Sequence, residues 1–267
     1  MFESSLLKGA IAALYFLDKA EAIITTSNED KTMFPDFAAA MESSGNFAWK
    51  SHSFISNGYN LKMFQIIGDD LGNELLGEKG SVMLHHGMYS DATDWLVRGT
   101  DITQSSTAMQ LAAAGHDVWL TMGRGRQYSR THLWLDPDSL DLAVRDLYWD
   151  YTFEDVGRED IPKFIDTILA NRKLGDCNQV TVMPHGTGVN ETLIAAINMA
   201  DFNDKVKKIV GLAPCLDVST NSMVIDSNEP NTVVTLYALF KSYGISNIFA
   251  ADYMKNLQAM CDEGGVG

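Results

Sequence analysis
Cysteine, proline, basic residues and long apolar runs are all scarce in this chain, and each scarcity excludes something. Three cysteines, Cys177, Cys215 and Cys261, occur in 267 residues, with no metal-ligand spacing between them. An odd number cannot close a fully paired disulfide framework, so they read as buried or free thiols. Six prolines and 21 glycines are ordinary for a globular chain and exclude a collagen-like or low-complexity one. No apolar stretch reaches the roughly 18 residues needed to cross a bilayer. Lysine and arginine number 20 against 35 aspartates and glutamates, a net charge of −15 that repels phosphate backbones and anionic membrane surfaces. No nucleic-acid partner is expected. No H-E-x-x-H or C-x-x-C pattern occurs, so neither a metal nor a cofactor is expected.

What the chain does have is 46% hydrophobic residues, enough for one sizeable globular unit around a single core. Residues 1–52 read as a helical N-terminal extension. Within it Gly9 to Leu17 is apolar and is followed by Ala20, Glu21 and Ala22, which resembles a secretory leader and its cleavage site. Glu3 beside Lys8 leaves it without a clear positive start, so a retained amphipathic helix is expected instead of a cleaved leader. An intracellular or organellar complex is the expected setting.

Residues 53–215 alternate between strand and helix patterns. Strands are expected at Leu61 to Ile67, Ser81 to His85, Asp117 to Leu120, Gln179 to Met183 and Lys208 to Ala213. Helices are expected around Ser105 to Ala114, Ile161 to Arg172 and Val189 to Ala200, the last with Leu193, Ile194 and Ile197 on one face. This predicts an α/β fold with a mostly parallel sheet and helices on both faces. Residues 216–267 turn helical, with Val233, Leu236, Tyr237 and Phe240 at helix spacing.

Between the strand ending at Met183 and the next helix lie Pro184, His185, Gly186, Thr187 and Gly188. A strand, a tight turn and a helix form the elbow that presents the nucleophile in G-x-S-x-G hydrolases. The centre here is Gly186, which has no side chain to present. Thr187 takes the position whose backbone N–H feeds an oxyanion hole, and its side chain is expected to aim away from the attack path. His85, His86 and His185 gather near the same turn as hydrogen-bonded side chains, not metal ligands. The runs Asp136, Asp138, Asp141 and Arg158, Glu159, Asp160 read as solvated loop and helix-cap residues.

Several blocks carry a resemblance. His85, His86, Gly87 and Met88, followed by Asp91 and Trp95, match an H-G-L-L…S…W loop. Ala114 to Trp119, then Arg124, Gly125, Ser129, Arg130 and His132, match A-G-[FY]-D-V-W…N-S-R-G…S-R-x-H. Tyr148, Trp149, Tyr151 to Asp155, and then Asp160, Ile161 and Pro162, match F-W-x-F-S-[YF]-D-E-M…D-[IL]-P. In this order they resemble the acid lipase family, the gastric and lysosomal α/β hydrolases that cleave acylglycerols and cholesteryl esters. At the G-H-S-x-G elbow that follows, the chain departs from this pattern: Pro184 stands for the first glycine and Gly186 for the serine.

The resemblance implies an α/β-hydrolase-like core, incomplete on its C-terminal side, with 216–267 as a partial helical cap. It makes His86, Gly87 and Met88 a vestigial oxyanion region, and Pro184, His185, Thr187 and Gly188 a vestigial elbow around a degenerate nucleophile position, Gly186. Triad members in this fold follow in the order Ser, Asp or Glu, His, yet the last histidine in the sequence is His185. A pseudo-hydrolase without catalytic residues is therefore expected, acting as a structural or interaction subunit whose sheet edge other protein chains cover. The alternative is a protein of lipid metabolism. Either Met88, Trp95 and Trp119 line an old acyl pocket that still takes a lipid, or another chain supplies the missing triad parts.

Overall fold
The computed structural model describes residues 23–88, 90–98, 105–173, 178–214 and 216. The apolar stretch at 9–17, the three cysteines and the helical pattern from Val233 onward lie outside them.

Helix α1 (Asn28–Met33) is capped by the Ser27 side chain, which accepts the Asp30 N–H. Helix α2 (Pro35–Ser44) opens on a proline, where the missing N–H has no helical partner to lose. Strands β1 (Ala48–Ser56) and β2 (Tyr59–Gly68) follow as an antiparallel hairpin. Its turn is Asn57 and Gly58, with φ of 43° and 85°, a pair suited to a tight two-residue connection. Strand structure therefore begins at Ala48, ahead of the expected Ser53. Lys50, Ser51, His52 and Ser53 lie on an edge strand, where one polar, partly solvated flank blurs the apolar alternation. Nor does α2 stand outside the core: Phe37 stacks on Phe64 with ring centroids 3.7 Å apart.

The remaining elements are β3 (Ser81–His85), a 3-10 turn (Ala92–Leu96), α3 (Thr107–Ala113), β4 (Asp117–Met122), α4 (Leu142–Trp149) and α5 (Phe153–Asp155). A five-residue π segment (Val156–Asp160) then leads into α6 (Ile161–Asn171), β5 (Val180–Pro184), α7 (Thr187–Asn198), α8 (Phe202–Lys205) and β6 (Val206–Ile209). The sheet order is β1-β2-β4-β3-β5-β6. The pairings β1/β2 and β2/β4 are antiparallel, and β4/β3, β3/β5 and β5/β6 are parallel. The sheet is thus mixed, and the expected parallel arrangement holds from β4 to β6.

Every residue of β3 and β4 is buried, as befits strands covered on both faces. On one face Val82, Leu84, Val118 and Leu120 join Phe37, Trp49, Trp95 and Met109. On the other, Met83, Trp119 and Val182 join Phe164, Ile165, Ile168 and Ala195. From β3 the chain first adds β4 on one side and then returns to place β5 on the other. The carboxyl ends of β3 and β5 consequently flank a topological switch point, the usual place for a site in an open α/β sheet. No helix among the described residues is long and apolar enough to cross a membrane.

Candidate active site at a strand-to-helix elbow
Strand β5 ends at Pro184, α7 starts at Thr187, and between them Gly186 has φ 55° and ψ −124°. This is the sharp, strained turn of a nucleophile elbow, and an L side chain seldom adopts it without compensation. Backbone bonds pin it on both sides. His185 N–H donates to the His85 carbonyl at 2.9 Å, and Gly186 N–H donates to the Leu212 carbonyl at 3.0 Å. Close approach does the rest. A Cβ on Gly188 would lie 2.6 Å from the His86 carbonyl oxygen, and one on Gly87 would lie 2.9 Å from the His185 carbonyl oxygen. At Gly186 the nearest atom to such a Cβ is the Gly87 Cα at 3.9 Å. Among the described residues the place for a nucleophilic side chain is open.

Thr187 does not aim away from the site. Its Oγ1 accepts the Met88 N–H at 2.7 Å, so a side chain of the elbow occupies one of the backbone donors that an oxyanion hole would offer to substrate. The cause is local. Thr187 is the first residue of α7 and sits directly across from the Gly87–Met88 turn, which places its hydroxyl within reach of that free amide.

The three histidines divide into distinct environments. His86 is buried: its Nε2 accepts the Gly123 N–H at 2.9 Å, so the ring proton lies on Nδ1 and is donated to the Gly87 carbonyl at 2.9 Å. Burial, reinforced by His85 and Arg126, pushes its pKa well below the ordinary imidazole value. His85 is fully buried between Thr121 Oγ1 at 2.7 Å and Glu191 Oε2 at 2.6 Å. Thr121 donates its own proton to the Leu84 carbonyl. A hydroxyl, an imidazole and a carboxylate therefore lie in a row, but the Thr121 hydroxyl accepts from His85 instead of donating to it, the reverse of a catalytic triad, and Thr121 and His85 are inaccessible to substrate. Neither Glu191 nor Thr121 was expected at the site from the sequence. The available signal was a glutamate in the first turns of the helix after the elbow, facing a strand that ends in histidine. His185 is exposed beside Gly186. Among the described residues no group of His, Cys, Asp and Glu is arranged to hold a metal.

The matched residues of the loop after β4 and of the start of α6 hold the structure together. Arg124 makes a bidentate pair with Asp160, Nε to Oδ2 at 2.7 Å and Nη2 to Oδ1 at 2.6 Å, and lies over the rings of Tyr59 and Tyr151. Asp160 is thus fully buried, not a solvated residue as expected, because its partner comes from a distant loop. Burial pushes the Tyr59 hydroxyl up to about 12, against the opposing pull of Arg124. Ser129 donates to the Met122 carbonyl at 2.7 Å and accepts the Lys62 N–H at 2.9 Å. His132 accepts the Trp134 and Leu135 N–H groups on Nδ1 and bonds the Asn57 carbonyl through Nε2. These contacts fasten the loop after β4, and through the Gly123 N–H they reach the His86 ring.

Met88, Trp95 and Trp119 do not line a common pocket. Trp119 is wholly buried in the core on the α6 side of the sheet, its Nε1 donating to Asp117 at 2.7 Å. Trp95 belongs to the core on the opposite face, and Met88 is 49% exposed. The pocket that the resemblance implied is not formed by these three, because β4 turns Trp119 to one face of the sheet and the 3-10 turn packs Trp95 on the other. A cavity of about 170 Å³ does exist, lined by Ile23, Ile24, Met41, Trp49, Asp69 and Gly72 among others. It lies where β2 ends, at the opposite end of the sheet from the elbow.

An α/β sheet of this strand order, with a strand-to-helix elbow at its switch point, defines the α/β-hydrolase class. Within that class the chain is acid-lipase-like. It is 30% identical to gastric triacylglycerol lipase of Mus musculus over 162 residues, 61% of this chain and 38% of that one. It is 31% identical to lysosomal acid lipase/cholesteryl ester hydrolase of Macaca fascicularis over 142 residues, 53% of this chain and 33% of that one. The chain thus spans well under half the length of these relatives. Among solved structures it is similar to an esterase of Pyrococcus furiosus at 12% identity, with a TM-score of 0.43 over 83% of this chain and 70% of that one. No family model matches the chain.

Proposed function
We propose that this chain is a catalytically silent, acid-lipase-like protein that serves as a structural or interaction subunit. The observation that carries this is Gly186 at the apex of an intact elbow, with open space where a nucleophile would stand. Without a hydroxyl no acyl-enzyme forms, and in serine hydrolases loss of the nucleophile lowers turnover by on the order of 10⁶-fold. Thr187 adds a second impediment, since its hydroxyl holds the Met88 N–H that would otherwise bind the developing oxyanion. Thr187 is itself no substitute nucleophile. Among the described residues the buried imidazoles, His85 and His86, already spend their nitrogens on other partners.

The subunit role is supported by the sheet. Among the described residues β6 pairs only with β5, and an open strand edge is ordinarily paired or covered. Two measurements on the full chain test the proposal. Hydrolysis of triacylglycerol and of short-chain esters is expected to match the buffer control, and native mass spectrometry of the protein from its source is expected to show a companion chain. Ester turnover that Thr187→Val abolishes contradicts the silent elbow. A lone monomer contradicts the subunit role.

A further inference from the structure
Helix α4 carries its apolar side chains on the wrong side for a helix that only packs on a core. Tyr148 is its buried residue, whereas Leu142 and Leu147 are 54% and 59% exposed, and Leu140, just before it, is 99% exposed. At 100° per residue Leu142, Ala143 and Leu147 span one outward arc. Trp134, in the preceding loop, is 75% exposed as well. An informative feature of a surface is such a concentration of large apolar groups, not a single one.

The surface is also built to hold its shape. Trp149 Nε1 donates to the Pro137 carbonyl at 3.3 Å, fixing the loop to the helix, and Tyr148 donates to the Arg130 carbonyl at 2.7 Å. Asp141 caps α4 by accepting the Ala143 N–H at 2.9 Å. Along this stretch of the chain the charge is one-sided. Residues 133–150 hold Asp136, Asp138, Asp141, Asp146 and Asp150 against Arg145 alone, although Asp138 is also paired with Arg130. This local excess lies on a chain of net charge −15. A second copy of the chain would bring the same acidic stretch and be repelled, as would an anionic membrane.

We propose that the outer face of α4, with Leu140, Leu142 and Leu147 at its centre, docks a basic amphipathic helix of another protein. The leucines supply the desolvated centre of the contact. The aspartates of this stretch select a lysine- or arginine-rich partner and speed its approach. This names a surface for the interaction role proposed above, but its evidence is independent of Gly186, so either proposal can fail alone.

The test uses the full chain and an 18-residue helical peptide of leucine and lysine with leucines at i, i+3, i+4 and i+7, titrated by fluorescence anisotropy. A leucine and glutamate peptide of the same pattern is the counterpart. Wild-type protein is expected to bind the basic peptide and not the acidic one, and to lose affinity as salt is raised. The double substitution Leu142→Ser and Leu147→Ser is expected to weaken binding at least tenfold at an unchanged melting temperature. Leu71→Ser, at the exposed turn after β2, is expected to leave binding unchanged. Binding that ignores the two leucines reduces the effect to general charge and overturns the proposal. So does equal binding of the acidic peptide, no binding at all, or sedimentation that shows a dimer dependent on the same leucines.

Discussion

Gly87, Gly186 and Gly188 sit together at the elbow for different physical reasons. Gly188 is required by space, because a Cβ there meets the backbone carbonyl of His86 at 2.6 Å. Gly186 has space, but its φ of 55° and ψ of −124° are strained for any L side chain. Gly186→Ala is expected to cost about 1–2 kcal/mol of stability, the strain alone. Gly188→Ala combines overpacking with a rigid neighbour and is expected to cost about 1–3 kcal/mol, the larger loss of the two in urea denaturation. His86 makes a pH prediction. Its pKa is held well below the ordinary value in the fold, while in the unfolded chain it returns to about 6.5. Below that pH the unfolded chain binds a proton that the fold refuses. Stability is therefore fullest above about pH 6.5 and falls on acidification, by up to about 1.4 kcal/mol per pH unit. His86→Gln is expected to flatten the urea midpoint against pH between about 6.5 and 4.5, although His52 and His132, whose values burial also lowers, retain part of the slope. At this scale the elbow from Pro184 to Gly188 was legible in the sequence because its residues are contiguous. Glu191 was not, since its meaning depends on His85, far away in the chain, and the Thr187 hydroxyl was misjudged because rotamer and neighbour are invisible in a string of letters.

Among the elements, the loop after β4 and the start of α6 are held together by one ion pair. Arg124 and Asp160 have side chains 2% and 0% exposed, so removing either partner leaves an uncompensated buried charge. Asp160→Ala is expected to lose about 3–5 kcal/mol in urea unfolding, and replacing both residues by apolar ones is expected to lose less than Asp160→Ala alone. From Ser81 onward the strands β3 to β6 and the helices α3, α6 and α7 were legible, buried strands as short apolar runs and helices as periodic ones, whereas α4, α5 and α8 were not expected. Strand β1 was not, because its inner and outer positions mix lysine, serines and a histidine. The better signal was Asn57–Gly58, which marks a hairpin and so requires a strand on each side. Asp160 was misplaced for the complementary reason: a carboxylate before a helix ordinarily reads as a solvated cap, and only the fold supplies the buried guanidinium.

At the scale of the molecule, one six-stranded sheet with helices on both faces runs from β1 to β6, and the matched residues after β4 and before α6 serve to hold it. The Arg124, Ser129 and His132 contacts fix a loop and leave chemistry to the elbow. The elbow has the backbone of a strand-to-helix turn with Gly186 at its apex, and the proposed silence rests on that glycine. The most direct measurement is the intact mass of the purified full chain after treatment with a fluorophosphonate, the reagent that reports an activated hydroxyl at such an elbow, followed by mapping of the peptide that spans Pro184 to Gly188. An unchanged mass is the predicted result. An adduct on Thr187 would contradict the account, because it would show a working nucleophile beside Gly186.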